Sequence, residues 1–367
     1  MSPNHLAKLL STPSTILVLD GGVSTHLENM THKPFPDRHL WSSSLLLSIQ
    51  GQNQIEQAHT DFLNAGCNIL STVTYQLSHF AEKYGYSKKL IDNLLNVAVD
   101  RAIEAIQNVD KKQGIAFSGK RFIFSSIGCY GSALVNGSEY TGNYSLSKEA
   151  LMDFHREKFN LFRSNNHVNG ILFETIPSKI EVEAILQLLV AHEQQCPSAA
   201  YDDRTNDLVI CLSLACQNGC TLNDGTPLTT ILDMILHVDH IKDENSRLIH
   251  CIGVNCCKIQ YIYSLSKTIA EHILKSKVRR AIALYPNSGE EWDAQNNCWK
   301  AGSGCSDSKA FANELLKCIQ MIHDLCKEYD QPYLPIIVGG CCRTSPDTIS
   351  ALREAVDKYN SDVSIRD

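Results

Sequence analysis

Two cysteine doublets stand where apolar runs end. Cys256-Cys257 closes Ile252-Gly253-Val254-Asn255, and Gly339-Gly340-Cys341-Cys342 follows Leu334-Pro335-Ile336-Ile337-Val338. If each run is a buried strand of one parallel barrel, both doublets reach the same rim. Three thiolates there make a soft metal site, and zinc is the ion that suits them best. Neither doublet has the C-x-x-C spacing of a structural zinc knuckle. Three ligands from two distant strand ends leave a fourth position open, as a catalytic zinc requires. The plainer readings are buried free thiols or a vicinal disulfide, since an iron–sulfur cluster needs four ligands in another rhythm.

Other strand ends carry polar chemistry too. Asp20 leads into Gly21-Gly22-Val23-Ser24-Thr25. A carboxylate there can hold an ammonium group while the glycines let backbone amides approach a ligand; a tight turn with a capping acid is the bland alternative. Thr72, Thr74, Tyr75 and Gln76 either line a pocket or cap the next helix. Gly128-Cys129-Tyr130-Gly131 runs on into the glycine-rich stretch Asn136-Gly137-Ser138-Glu139-Tyr140-Thr141-Gly142, long enough to cover a ligand. Glu174 stands among apolar neighbours at a strand exit, an expensive place for an unused carboxylate, so it is expected to bind or to do acid–base work. Asn287 and Ser288 can hydrogen-bond a polar ligand, although a turn explains them almost as well.

The elements that must position these residues alternate along the chain. Apolar runs of strand character fall at Thr15–Asp20, Cys67–Tyr75, Phe122–Gly128, Gly170–Glu174, Leu208–Leu214, Leu248–Val254, Ala281–Tyr285 and Leu334–Val338. Several are continuous rather than alternating, which suits strands covered on both faces. Amphipathic segments separate them, with start signals at Ser147, Ser178 and Ser345-Pro346-Asp347. Eight strand–helix units predict a single α/β (β/α)8 barrel of the TIM type with loop insertions, rather than an open doubly wound sheet. In such barrels chemistry sits where strands end. The barrel is expected over 15–358, with an N-terminal extension 1–14 and a C-terminal tail 359–367. Polar insertions fall at 110–120, 197–207 and 289–307; the last follows the seventh strand and is expected to overhang the reactive face.

Composition narrows the function class. The net charge of −7 with no basic cluster argues against nucleic-acid binding. No apolar run approaches the roughly 18 residues of a membrane span, and Met1–Ser14 lacks a secretion signal, so a cytoplasmic protein is expected. Fifteen cysteines, an odd count in a large chain, speak against a disulfide framework. Cys67, Cys211, Cys251, Cys318 and Cys326 lie in apolar-periodic segments and read as packing.

Taken together, Leu19-Asp20-Gly21-Gly22, Thr72–Gln76, Ile127–Gly131, Phe173–Pro177, Gly253–Cys256, Tyr285–Glu290 and Gly339–Pro346 resemble the zinc-dependent homocysteine S-methyltransferase family, in that order and over nearly the whole chain. The resemblance implies a (β/α)8 barrel in which Cys256, Cys341 and Cys342 bind Zn2+ and Cys257 is a neighbour. It implies that Asp20 and Glu174 hold the amino group of L-homocysteine, and that amides around Gly21 and the Thr72 segment hold its carboxylate. Asn255 and Asn287 complete the expected ligand-binding set. The nearest branch uses a sulfonium donor, S-methylmethionine or S-adenosylmethionine, and forms methionine. Cys129 stands where the family often has proline. Gln76 and Thr175 occupy the places of a tyrosine pair in betaine-using relatives, which weighs against betaine. A zinc-storing or redox-sensing thiol protein is the non-catalytic alternative, but it would not need Asp20, Glu174 and the 285–290 loop facing the metal.

Overall fold

The structure, a computed structural model, describes residues 4–114, 121–195, 208–240, 247–289, 292–293, 298–299, 304–305 and 307–364. Eight parallel strands form its centre: Ile16–Val18 (β1), Ile69–Ser71 (β2), Phe122–Gly128 (β3), Gly170–Ile176 (β4), Val209–Leu214 (β5), Cys251–Lys258 (β6), Ala281–Asn287 (β7) and Ile336–Val338 (β8). They pair in the order β1-β8-β7-β6-β5-β4-β3-β2. A bridge between Leu19 and Ile69 closes the ring, with Asn68 N donating to Val18 O at 2.6 Å and Asp20 N to Ile69 O at 2.9 Å. This is the (β/α)8 barrel that the alternation predicts.

Eight return helices surround it: Ile49–Asn64, Lys88–Lys112, Lys148–Ser164, Lys179–Gln195, Leu228–His240, Ile262–Ser276, Ser308–Glu328 and Pro346–Ser364. The start signals act as read. Ser147 Oγ accepts from Ala150 N at 3.2 Å, and Pro346 is the first residue of its helix. That last helix runs through the expected boundary at 358. The insertions at 115–120, at 197–207 and over most of 289–307 lie outside the described residues.

Period-2 alternation sorts each strand into two faces. Outward residues such as Ile123, Ile171, Leu212, Val254 and Leu284 join the helices in the large outer core. Inward residues form a second cluster that includes Leu17, Leu19, Phe122, Phe124, Leu172, Cys211, Cys251 and Ile337. Phe124 fits inside because a Cβ at Gly170 would stand 2.4 Å from its ring. Fully burying each such side chain is worth roughly 1.5–3 kcal/mol. Leu6 and Leu10, in and just after the short helix Asn4–Leu9, belong to the same inner cluster, so this end of the chain packs into the barrel.

Going up the inward face, the residue types change. Phe122 and Phe124 give way to Ser126, Leu172 to Glu174, Cys211 to Ser213, Cys251 to Asn255, and Ala283 to Tyr285. The apolar interior therefore ends in one polar layer just below the rim where strands finish.

Candidate metal centre and its pocket

Alternation would turn Cys256 outward, because Asn255 before it faces in. A bulge reverses this. The β6–β7 register jumps from Asn255↔Tyr285 to Lys258↔Asn287, and Cys256 sits in the left-handed region at φ 51°. Non-glycine residues there cost on the order of 1–3 kcal/mol, and such strain collects at functional sites. Cys341 and Cys342 arrive from β8 through Gly339-Gly340, where a Cβ on Gly340 would stand 2.2 Å from Thr344 Oγ1. Their loop is pinned: Cys341 N donates to Pro286 O (2.9 Å), Cys342 N to Asn287 Oδ1 (3.1 Å) and Arg343 N to Thr25 Oγ1 (3.1 Å).

The three sulfurs lie within 4.8 Å of one another, with Cys256 and Cys342 4.0 Å apart, and all three residues are partly exposed. Among the described residues they form a group able to hold a metal ion. Crowding differentiates them: hydrogen bonds from Cys256 and Cys341 hold Cys342 well below the usual thiol range. Cys256 is pushed up by its sulfur partners and by burial. A soft, convergent, all-sulfur donor set open on one side fits zinc. Cys257 turns the other way into the outer core, and Cys129 is fully buried there as well.

A cavity of about 440 Å³ opens beside the thiols. Asp20 and Glu174 both line it and both are buried. Asp20 accepts from Ser71 N (2.7 Å) and Ser71 Oγ (2.9 Å), while Glu174 Oε1 accepts from Ser126 Oγ. Burial, followed by the nearness of Cys341, pushes Glu174 up to about 8, against the pull of Ser126 and Lys158. Burial likewise raises Asp20 well above the carboxylate range, with Glu174 adding to it. Two desolvated carboxylates that repel each other are costly unless a cation joins them.

A hydrogen-bonded chain supports this wall. Lys158 Nζ donates to Thr74 O, Thr74 Oγ1 to Ser126 O (2.8 Å), and Ser126 N to Thr72 Oγ1 (3.0 Å). Burial pushes Lys158 down to about 7. β4 carries a bulge of its own at Thr175 (φ 59°), and Asn255 staples it: its Oδ1 accepts from Thr175 N (2.9 Å) and Ser213 Oγ (2.8 Å), and its Nδ2 donates to Thr175 Oγ1 (2.8 Å).

Of the residues expected to bind ligand, Asp20, Gly21, Thr72 and Glu174 line the cavity, as does the expected metal set. Asn255 and Asn287 do not. Their amides are engaged elsewhere, one stapling Thr175 and the other accepting from Cys342 N. Several lining or supporting residues escaped the sequence reading. Ser126 and Ser71 are polar inward positions in strands, and alternation would have flagged Ser126. Lys158 lies with Leu151, His155 and Phe162 on the buried stripe of its helix, an anomaly visible from spacing alone. Arg38 and Trp41 also line the cavity and carry no motif.

A closed parallel barrel with a three-thiol rim over a buried carboxylate pair defines a (β/α)8 protein with a thiol cluster able to hold a metal ion. The family model described as homocysteine S-methyltransferase matches residues 17–356. Homocysteine S-methyltransferase 2 of Zea mays is 31% identical over 349 residues, covering 93% of this chain and 90% of that protein. Homocysteine S-methyltransferase YbgG of Bacillus subtilis is 30% identical over 353 residues, covering 95% and 96%. The metallated crystal form of the homocysteine methyltransferase MmuM from Escherichia coli shares the fold, with a TM-score of 0.71, 23% identity and coverage of 96% and 99%. The chain belongs to the homocysteine S-methyltransferase family.

Proposed function

We propose that this protein transfers a methyl group from a sulfonium donor, S-methylmethionine or S-adenosylmethionine, to the sulfur of L-homocysteine, giving methionine. The observation that carries the reading is the convergence of Cys256, Cys341 and Cys342 on a cavity that also holds two buried, mutually repelling carboxylates. Family membership and relatives named homocysteine S-methyltransferases support it.

The residues divide the work. Asp20 and Glu174 take the acceptor's ammonium, whose charge offsets the cost of keeping both ionised. Ser71 and Ser126 aim those carboxylates, and Lys158 steadies the Thr72–Thr74 segment behind them. The Gly21 and Thr72 segments face the acceptor's carboxylate. A free thiol with a pKa near 8.5 is only a few per cent thiolate at pH 7. Zinc held by the three cysteine sulfurs would supply the charge that keeps the acceptor's sulfur deprotonated.

The transfer itself forms one carbon–sulfur bond and breaks another. The donor's bonding pair returns to its own sulfur, which leaves as a neutral thioether, and the acceptor's thiol proton goes to solvent. No protein acid is required. What the pocket contributes is alignment, an effect that can supply several kcal/mol.

The test is a product assay: zinc-loaded protein, homocysteine and each of S-methylmethionine, S-adenosylmethionine and betaine, scored for methionine. Methionine from a sulfonium but not from betaine is expected. Failure with every donor would end the proposal.

A further inference from the structure

The glycine-rich stretch after β3 has no part in the chemistry so far, yet it is built firmly. Gly137 (φ 81°) starts the single turn Ser138–Tyr140, and Gly142 (φ 64°) closes it with its N donating to Ser138 O at 2.8 Å. A Cβ at Gly131 would stand 2.6 Å from Glu139 N, and one at Gly142 would stand 2.8 Å from Pro177 O. Asn223 Nδ2 donates to Glu139 O at 2.8 Å. The backbone is thus held where Val135, Glu139 and Tyr140 line the cavity, together with Trp41 and Tyr75, whose rings meet edge-on at 6.1 Å.

Glu139 Oε2 is buried and has no hydrogen-bond partner. A carboxylate oxygen removed from water without a donor is costly, and a cationic ligand is what would satisfy it. The two neighbouring side chains sense different surroundings. Cys256, ahead of burial, drives the Tyr140 phenol upward, whereas burial is what raises Glu139. Glu139 and Tyr140 both line the cavity that the three thiols border.

We propose that Glu139 receives the α-ammonium group of an amino-acid sulfonium donor bound in this cavity. This rests on the methyl-transfer reading and names the part of the donor that the site grips. The choice of ammonium follows from the reaction. The sulfonium charge disappears during transfer, so a carboxylate set against it would stabilise the reactants more than the transition state. The ammonium keeps its charge throughout, and holding it tightens donor binding without slowing the step. Aromatic faces such as Trp41 and Tyr75 are the milder partners suited to the sulfonium.

Steady-state kinetics of the zinc-loaded protein at saturating homocysteine test this. Glu139→Gln should raise the KM for S-methylmethionine about tenfold or more, as expected for losing a charge-assisted hydrogen bond. Its kcat and homocysteine KM should stay within about twofold, and Glu139→Asp should recover part of the donor affinity. Dimethylsulfoniopropionate, a sulfonium without an amino group, should compete against S-methylmethionine equally weakly in the wild type and in Glu139→Gln. A donor KM indifferent to Glu139→Gln, or an equal loss for both sulfoniums, overturns the assignment. Absence of any transfer from S-methylmethionine by the wild type would instead strike the donor reading itself.

Discussion

Glu174 and Glu181 are both buried carboxylates, and burial pushes each up to about 8. Their surroundings differ. Glu181 accepts from Tyr130 N (2.7 Å) and Tyr144 Oη and pairs with His155 Nε2 (2.9 Å), a knot tied between the helices around β4. Burial pushes His155 down to about 3, so the knot holds a neutral imidazole. Glu174 has Ser126 on one oxygen and an open cavity in front of it. The same perturbation thus marks a structural tie in one place and, on the proposed function, a binding group in the other. What separates them is whether the protein itself fills the acceptor positions.

The sharpest break is at the metal. Cys341→Ser should abolish both zinc retention and methionine formation while leaving the barrel folded, which elemental analysis, product assay and circular dichroism will show. A variant with normal metal content and rate would undo the assignment. Next comes the exchange between the two glutamates. Glu174→Ala should raise the homocysteine KM by roughly 10–100-fold, the worth of a charged hydrogen bond, with stability held or improved. Glu181→Ala should do the reverse, costing about 2–4 kcal/mol in denaturant unfolding because buried donors are left unpaired, with KM unchanged. If both variants failed in the same assay, the contrast would collapse.

A smaller effect concerns pH. Between the ordinary glutamate value near 4.3 and about 8, the folded protein keeps a proton on Glu174 that the unfolded chain has lost. The folded state binds more protons there, so this group's contribution to stability falls as pH rises through that window. Homocysteine's ammonium needs the ionised form, so binding near pH 7 should release a proton and strengthen toward pH 8. Calorimetry in buffers of different ionisation heat should show less proton release in Glu174→Gln than in the wild type. Smallest of all, Cys257→Ala should leave metal stoichiometry untouched, since that thiol faces the outer core.

The barrel was legible because continuous apolar runs and amphipathic segments follow local rules that its geometry obeys. The strand-end motifs reached Glu174, Asn255 and Tyr285 of the polar layer but not Ser126 or Ser213. What stayed hidden depends on long-range geometry. Nothing local to Cys256 announces the bulge that turns it inward, and strict alternation would have faced it toward the helices. The hydrogen bonds of Asn255 to Thr175 and of Asn287 to Cys342 N join residues far apart in the chain, so no local pattern shows them. The short helix Val23–Thr31 and the 3-10 turn Trp41–Leu47 between β1 and its return helix were missed, since neither has the length for a periodic signal.

The leucines near Asn4–Leu9 have a kinetic consequence. They stopper one end of the ring, and apolar side chains fill it up to the polar layer below the rim. Among the described residues, traffic then uses the rim at the other end of the ring. Asp20 and Glu174, 1% and 9% exposed, lie at the dead end, while Tyr140, 62% exposed, stands at the entrance. Whatever occupies the depths has to enter first and exit last, so initial-rate patterns should be sequential, with the methylated acceptor competing against homocysteine.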